Sequence, residues 1–342
     1  MSGEVFGPIL KRVAAGETLD AQTSSRAFAA IMGGEVGEAQ MAALLTALAV
    51  RKPTVEEITG AVVAMRAAMK VVHAPEGAID LVGTGGDGLG TLNISSAASL
   101  VVAACGVPVA KHGNRNMTSR SGAADVLEAL GVKVDVTPEV ARACVEETGV
   151  CFLFAQGYHP AMKHVTPVRR ALGFRTIFNL LGPLSNPAGV KRQLLGVYAM
   201  EWMEPVAKVL HTLGARKAWV VHGSDGLDEV SISDVTHVAK LENGRIETAT
   251  VAPEDAGLPR WPLAAVKGGD AAENAAALSR LLDGERNAYR DIVLFNSAAA
   301  LIVADKAHDL REGVDLSAKA IDSGAARRVL EKLIALSHGA GP

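Results

Sequence analysis

Apolar positions in roughly the first seventy residues recur at the three- and four-residue spacing of amphipathic helices. Thr54 and Glu57 stand at the spacing of a capping box, and Pro53 marks the break before it. No strand pattern appears in this part of the chain. The sequence therefore predicts a small helical domain with helices at 9–15, 24–32, 38–50 and 55–70.

Beyond a linker at 73–77, short apolar runs alternate with helical patterns, as in an α/β domain with a mostly parallel sheet flanked by helices. Helices are predicted at 94–105 and from Pro138, after Thr137, to near Gly149. The C-terminal third is mostly helical, with helices predicted at 291–304 and 316–336. The predicted strands are 79–82, 107–110, 150–154, 194–198, 218–221 and 235–241.

Two short segments at the ends of predicted strands carry the clearest chemical signal. One is Gly83-Thr84-Gly85-Gly86-Asp87, and the other is Lys111-His112-Gly113-Asn114-Arg115. Between them, Asn93-Ile94-Ser95-Ser96 opens a helix with Asn93 predicted as its N-cap. Exposed amides, hydroxyls and a fixed positive charge so close together are suited to a doubly phosphorylated ligand. The alternative is that the glycines only make a tight turn.

Two familiar nucleotide motifs do not fit these segments. Gly83, Gly85 and Gly88 match G-x-G-x-x-G, but the helix begins near Asn93 and Lys111 stands where a dinucleotide fold needs a carboxylate. The Gly-Lys-Ser/Thr of a Walker loop is absent. Nucleotide-cofactor binding is therefore not expected.

Composition narrows the class of protein further. The 342 residues carry a net charge of −3, which gives no reason to expect nucleic acid or an anionic membrane as partner. Three cysteines in apolar surroundings are predicted to be buried thiols, and no run is long and apolar enough to span a membrane. These features predict a cytoplasmic protein. Neither a zinc site at His159 and His164 nor a nucleophile elbow is indicated.

Two charged segments are further candidates for the site. Asp228-Glu229 follows a predicted strand, where carboxylates suit Mg²⁺ bound to a phosphorylated ligand, although most such loops only face solvent. The segment 157–187 holds two predicted helices, at about 161–171 and 175–181, and a hinge-like end at 182–187. Its arginines could be a solvated face or could grip a substrate carboxylate. The cations of this segment are Lys163, His164, Arg169, Arg170 and Arg175.

These motifs occur in the order found in anthranilate phosphoribosyltransferases, and the chain closely resembles that family from its first helices to about residue 335. Gly-Thr-Gly-Gly-Asp alone is shared with pyrimidine nucleoside phosphorylases. Lys-His-Gly-Asn-Arg at 111–115 and Arg-Thr-Ile-Phe-Asn-Leu-Leu-Gly-Pro-Leu at 175–184 are much more specific. The resemblance implies transfer of a 5-phosphoribosyl group from phosphoribosyl pyrophosphate to the amine of anthranilate, in tryptophan biosynthesis. It also implies Mg²⁺ as cofactor.

The resemblance further implies a small helical domain joined by hinges to a large α/β domain. It also implies a homodimer that forms through the small helical domain. The expected small domain is 1–73 plus about 163–187, and the large domain is 79–160 plus about 190–340. The implied catalytic residues are Lys111, Asn114 and Arg169. The implied anthranilate ligands are Gly83, Asn114, His159 and Arg169, and the implied Mg²⁺ ligands are Ser95, Asp228 and Glu229. The implied ligands of phosphoribosyl pyrophosphate are Gly83, Gly85, Gly86, Asp87, Thr91, Asn93, Ser95, Ser96, Lys111 and Ser119.

The chain departs from the family pattern after Arg115, where Asn116 and Met117 replace smaller residues. Arg120 keeps the usual positive charge, and Ser96 keeps the hydroxyl where threonine is usual. Two other functions are considered. A nucleoside phosphorylase would need a phosphate-binding Lys-x-Ser where His112-Gly113 stand, and a nucleic-acid-binding paralogue without activity would need a basic groove.

Overall fold

The computed structural model describes residues 2–115 and 121–339, with side chains from Phe6 onward. The strands are β1 (Ile79–Gly83), β2 (Val109–Gly113), β3 (Val150–Phe154), β4 (Arg192–Gly196), β5 (Lys217–Gly223), β6 (Thr236–Glu242) and β7 (Arg245–Val251). The helices are α1 (Ser2–Ala14), α2 (Ala21–Met32), α3 (Glu38–Arg51), α4 (Val55–Ala67), α5 (Ile94–Ala104), α6 (Ala123–Ala129), α7 (Pro138–Thr148), α8 (Ala155–Tyr158), α9 (Thr166–Leu172), α10 (Phe178–Leu184), α11 (Met203–Thr212), α12 (Ala271–Leu282), α13 (Ala288–Val303), α14 (Leu310–Asp322) and α15 (Ala325–Ser337).

The strands form one sheet in the order β3-β2-β1-β4-β5-β6-β7. The five strands β1 to β5 pair in parallel, and β6 and β7 extend the sheet antiparallel. The chain proceeds from β1 to one side and later returns to β4 on the other side. Ligands of open α/β sheets bind in the crevice at such a reversal, outside the carboxyl ends of the strands.

Alternating side chains on the central strands build two hydrophobic cores. Leu81 and Leu194 face one core, which includes α5 and α13. Val82 and Leu195 face the other, which includes the N-terminal helices and α11. Each of these four side chains is buried, and burial of such a residue contributes about 1.5–3 kcal/mol. The sheet is therefore apolar on both faces, as expected for parallel strands covered by helices.

The predicted helical N-terminal part is confirmed. All four predicted helices are present, and the first begins earlier than predicted, at Ser2. The capping box is formed, because Glu57 N donates to Thr54 Oγ1 at 3.2 Å and Thr54 N donates to Glu57 Oε2 at 2.8 Å. No described helix has the length and apolar character needed to cross a membrane.

Several predicted bounds were wrong. The helix predicted at 316–336 is two helices, α14 and α15, because Gly324 between them takes a φ of 71°. The prediction missed β7, whose largely exposed side chains lack an apolar run, and it missed α6, α8, α11 and α12. The second strand lies later than predicted, at Val109–Gly113, so that Lys111 and His112 are strand residues.

Candidate active site

The glycine-rich segment after β1 makes an open turn at the carboxyl edge of the sheet. Gly85 and Gly86 have φ values of 65° and 77°, which are unfavourable for residues with a Cβ atom. The Gly85 N–H donates to Asp228 Oδ2 at 2.7 Å. The predicted phosphate loop, which is the glycine-rich loop at 83–87, therefore contacts the acidic loop, which carries Asp228 and Glu229.

Two glycines at the ends of neighbouring strands allow Asp228 to approach. Gly83 of β1 is in register with Gly196 of β4. A Cβ on Gly83 would lie 2.5 Å from Asp228 Oδ2, and one on Gly196 would lie 1.6 Å from the Asp228 carbonyl oxygen. Sequence analysis identified Gly83 but missed Gly196, because the register that places it beside Gly83 is known only from the structure.

Three carboxyl groups surround this junction. Burial raises the pKa of Asp228 well above its ordinary value, and the charges of Asp87 and Glu229 raise it further. Burial also raises the pKa of Glu229 to about 7, although Lys111 opposes the shift. A cation at this junction would relieve the repulsion between the carboxylates.

The acidic junction does not form a complete metal cage. Within 2–115 and 121–339, no group of three or more histidine, cysteine, aspartate or glutamate residues is placed to hold a metal ion. A divalent cation at Asp228 and Glu229 would thus take further oxygen ligands from a bound substrate or water, which is how Mg²⁺ is usually held beside phosphates.

Lys111 connects the sheet to the start of α5. Its side chain is buried, and Nζ donates to the Leu81 carbonyl at 2.7 Å and to Ser95 Oγ at 3.2 Å. The Ser95 amide in turn donates to Glu229 Oε1 at 3.2 Å. Burial lowers the pKa of Lys111, while Asp80, Glu229 and Asp228 act in the opposite direction. Lys111, Ser95 and Glu229 therefore form one connected polar network.

Asn93 precedes α5 as predicted, but it does not cap the helix through its side chain. Its Oδ1 instead accepts from Asn274 Nδ2 at 2.9 Å, and its carbonyl accepts from the Tyr289 hydroxyl at 3.0 Å. The two partners lie on α12 and α13, so the C-terminal helices hold the entrance to α5. Sequence analysis missed both, because nothing local connects them to Asn93.

Two further predicted residues lie beside this helix start. Thr91 makes an isolated antiparallel bridge with Lys267. Ser96 is buried in the first turn of α5.

Two buried histidines lie on the other side of Lys111. The Nε2 atoms of His112 and His159 are 3.3 Å apart. Burial lowers the pKa of His112 to about 3 and that of His159 to about 4, so both rings are neutral near pH 7. One ring must then donate and the other accept across this contact. Asp80, a fully buried carboxylate, holds the backbone of His112 by accepting from its amide at 3.0 Å, and it also accepts from Asn186 Nδ2 at 2.7 Å.

Arg169 and Asn114 are less constrained. The Arg169 guanidinium carbon lies 5.8 Å from the centroid of the Phe178 ring, and burial lowers its pKa. Asn114 is exposed at the end of β2, where its Oδ1 accepts from the Arg115 amide at 2.8 Å. In the part of the chain that the structure describes, no hydrogen bond joins the side chain of either residue to the phosphate loop or the acidic loop.

Three of the residues predicted to bind phosphoribosyl pyrophosphate, Gly85, Ser95 and Lys111, are thus joined by hydrogen bonds to Asp228 or Glu229, Lys111 through Ser95. Gly85 contacts Asp228, and Ser95 contacts both Glu229 and Lys111. Ser119 lies outside the described residues, as do Asn116, Met117 and Arg120.

Two family models match the chain and cover most of it. The model described as glycosyl transferase family, helical bundle domain matches residues 7–69. The model described as glycosyl transferase family, a/b domain matches residues 75–327.

Curated relatives match over nearly the full chain. An anthranilate phosphoribosyltransferase of Rhodopseudomonas palustris (strain HaA2) is 58% identical over 335 residues, covering 98% of this chain and 99% of the relative. One from Bradyrhizobium diazoefficiens is 57% identical over 331 residues, covering 97% and 98%.

Solved structures agree in fold. Anthranilate phosphoribosyltransferase from Thermus thermophilus superposes with a TM-score of 0.92 at 44% identity, covering 96% of this chain and 99% of that one. The Saccharomyces cerevisiae enzyme, in complex with phosphoribosyl pyrophosphate and Mg, gives a TM-score of 0.90 at 29% identity, covering 98% of both chains. With two matched domain models and these full-length relatives, the chain belongs to the anthranilate phosphoribosyltransferase family.

Proposed function

We propose the following roles for the residues of this site in the reaction of the family. The chain transfers the 5-phosphoribosyl group of phosphoribosyl pyrophosphate to the amine of anthranilate, in tryptophan biosynthesis. The products are N-(5-phosphoribosyl)anthranilate and pyrophosphate. One observation carries this assignment of roles. The glycine-rich loop, Lys111 and the acidic loop lie together at the carboxyl ends of β1 and β4.

The donor is held on the side of the site built from β1, α5 and β2. The amides of Gly83, Gly85 and Gly86, with Asp87, bind the pyrophosphate and the ribose. Buried Lys111 adds a positive charge beside them, where a charged group is worth more than in water. The 5-phosphate lies at the start of α5, because a helix N-terminus stabilises an anion. Its ligands are Asn93 and Ser96, and Thr91 and Ser119 are further ligands of phosphoribosyl pyrophosphate.

The residues present fit a magnesium ion. Asp228 and Glu229 are acidic groups crowded against Asp87, and the Ser95 hydroxyl adds a neutral oxygen next to Glu229. We assign Asp228, Glu229 and Ser95 as the protein ligands. When bound, Mg²⁺ offsets the negative charge of the pyrophosphate.

The acceptor lies on the side of Arg169, Asn114 and His159. Arg169, partly buried, grips the carboxylate of anthranilate with charge-assisted hydrogen bonds, and Asn114 contacts the amine. Gly83 closes the pocket next to the anomeric carbon. His159 lines its entry as a neutral ring.

The chemistry needs positioning and charge stabilisation more than a base. The amine nitrogen bonds to the anomeric carbon, the carbon–oxygen bond to pyrophosphate breaks, and the electron pair leaves with pyrophosphate. The amine of anthranilate is already unprotonated near pH 7, so its lone pair is available without a base. Once the bond to carbon has formed, the nitrogen loses one of its two protons to solvent. Neutral His112 and His159 fit this picture, since neither holds a positive charge beside the developing cation.

The assembly and the domain boundaries are further parts of the proposal. We assign residues 1–73 and about 163–187 to the small domain, and 79–160 and about 190–340 to the large one. A homodimer through the small domain is supported by exposed valines on α3 and α4, Val50 at 82% and Val63 at 44%. Light scattering of the wild type and of Val50→Glu tests this assembly.

A cytoplasmic location is supported by three free cysteines.

The direct test of the function follows the fluorescence of anthranilate after mixing with phosphoribosyl pyrophosphate. We expect a decrease that requires Mg²⁺ and matches the pyrophosphate released. Phosphorolysis of thymidine or uridine by the same preparation would instead identify a nucleoside phosphorylase. Salt-sensitive DNA binding without turnover would identify a nucleic-acid-binding protein.

A further inference from the structure

Arg175 extends from the turn between α9 and α10 to the glycine-rich loop. Its Nη2 donates a hydrogen bond to the Gly86 carbonyl. Its guanidinium carbon lies 4.4 Å from the centroid of the Tyr198 ring, within the range of a cation–π contact. The same side chain is therefore stacked on one residue and bonded to another.

Tyr198 is itself tied to the start of that loop. Its backbone amide donates to Thr84 Oγ1 at 3.0 Å, and the Thr84 amide donates to the Gly196 carbonyl at 2.9 Å. The backbone of Tyr198, whose ring Arg175 stacks on, is thus held relative to β1 and β4. Arg175 consequently holds Gly86 from a platform attached to the sheet.

The loop has a physical need for such a support. Gly85, Gly86, Gly88 and Gly90 all take positive φ values, between 64° and 79°. Glycine loses more conformational freedom on ordering than any other residue, so four within six residues make an ordered loop costly. A bond to the loop from outside lowers the number of its accessible conformations before the ligand arrives.

The hydrogen bond from Arg175 to the Gly86 carbonyl also sets the direction of the Asp87 N–H. A peptide unit is planar and trans, so its C=O and N–H point in opposite directions. With the Gly86 carbonyl held toward Arg175, the N–H of Asp87 points away from the arginine. That orientation leaves the amide free to donate to an anion on the far side.

We propose that Arg175 is a positioning residue for the donor: stacked on Tyr198, it holds the Gly86 carbonyl so that the loop amides face the pyrophosphate. This inference rests on the proposed function, since it takes phosphoribosyl pyrophosphate as the loop's ligand. Arg175 acts on the ligand through the loop and not by its own charge. A planar guanidinium can stack and donate at once, whereas a lysine ammonium does not reproduce that geometry.

The experiment measures KM for each substrate and kcat in Arg175→Ala, Arg175→Lys, Tyr198→Leu and Tyr198→Phe. Arg170→Ala is the matched control, because Arg170 is an exposed arginine on α9. We expect Arg175→Ala, Arg175→Lys and Tyr198→Leu to raise KM for phosphoribosyl pyrophosphate by about 10- to 100-fold, the scale of one hydrogen bond from a charged donor. Tyr198→Phe keeps the ring and should match the wild type. KM for anthranilate and the melting temperature should not change.

Three outcomes would overturn the inference. Equal donor KM values in Arg175→Ala and Arg170→Ala would remove Arg175 from the donor site. A wild-type donor KM in Arg175→Lys, with a loss in Arg175→Ala, would show that charge alone acts on the ligand. If Arg175→Ala does not fold, the comparison of Tyr198→Leu with Tyr198→Phe tests the inference. Equal KM values for phosphoribosyl pyrophosphate in these two variants would show that the Tyr198 ring does not support Arg175. Failure of the proposed function is distinguishable, because the wild type would then show no Mg²⁺-dependent turnover.

Discussion

A single methyl group at Gly83 should displace Asp228 from the site. The backbone of Gly83 is not in the left-handed region, so alanine is tolerated there without backbone strain. Its Cβ would, however, lie 2.5 Å from Asp228 Oδ2 and 3.0 Å from Cγ, far inside contact distance. The carboxylate must rotate away, which breaks its 2.7 Å bond to the Gly85 amide. A hydrogen bond to a charged group contributes about 1.5–3 kcal/mol, so activity should fall about 10- to 150-fold.

The assay for Gly83→Ala is a magnesium titration of the rate of anthranilate consumption. Because Asp228 is a proposed metal ligand, the variant should need more Mg²⁺ for half-maximal rate as well as losing rate. Gly7→Ala is the control, since a Cβ at Gly7 of α1 has no atom within 4 Å. A Gly83→Ala enzyme with wild-type rate and wild-type Mg²⁺ requirement would refute the steric argument and the metal role of Asp228 together.

Three further predictions address the acceptor, the metal and pH. Arg169→Ala should raise KM for anthranilate by about 10- to 100-fold through loss of a charge-assisted contact, and an unchanged KM would remove Arg169 from the acceptor site. Replacing both Asp228 and Glu229 by alanine should abolish most of the Mg²⁺-dependent rate, whereas full rate and metal response would make them an ordinary loop. Burial lowers the pKa of His112 to about 3 and that of His159 to about 4, so the unfolded chain binds more protons than the folded one below about pH 6.5. Stability should thus fall by about 2 kcal/mol per histidine from pH 7 to pH 5, and urea unfolding of His159→Asn should show a shallower decline; equal slopes would contradict the assigned burial.

The sequence predicted the fold where local pattern and tertiary environment agree. The strand at Val150–Phe154 and the helix Pro138–Thr148 have the predicted bounds, because an apolar run and a Thr-Pro start with a terminal glycine each define an element locally. β7 was missed because its side chains are mostly exposed, so it depends on pairing with β6 and not on an apolar pattern.

The candidate site was predictable only in part for a related reason. Gly85, Lys111 and Asp228 carry recognisable chemistry, and the structure brings them to one junction. Gly196 and Asn274 act through space on residues far away in sequence, and nothing in their local sequence indicates those partners. Their roles follow from the register of the sheet and the packing of α12, which a single sequence does not specify.

The junction of the glycine-rich loop with the acidic loop has a consequence for how activity appears during folding. Gly85 and Asp228 are separated by 143 residues, and Ser95 and Glu229 by 134. Contacts of such long range form late, since the entropy of closing a large loop must be overcome first. In a refolding experiment, helical circular dichroism should therefore return before turnover does. Neither half of the chain, split between β3 and β4, should have activity alone, because each contributes only one side of the site.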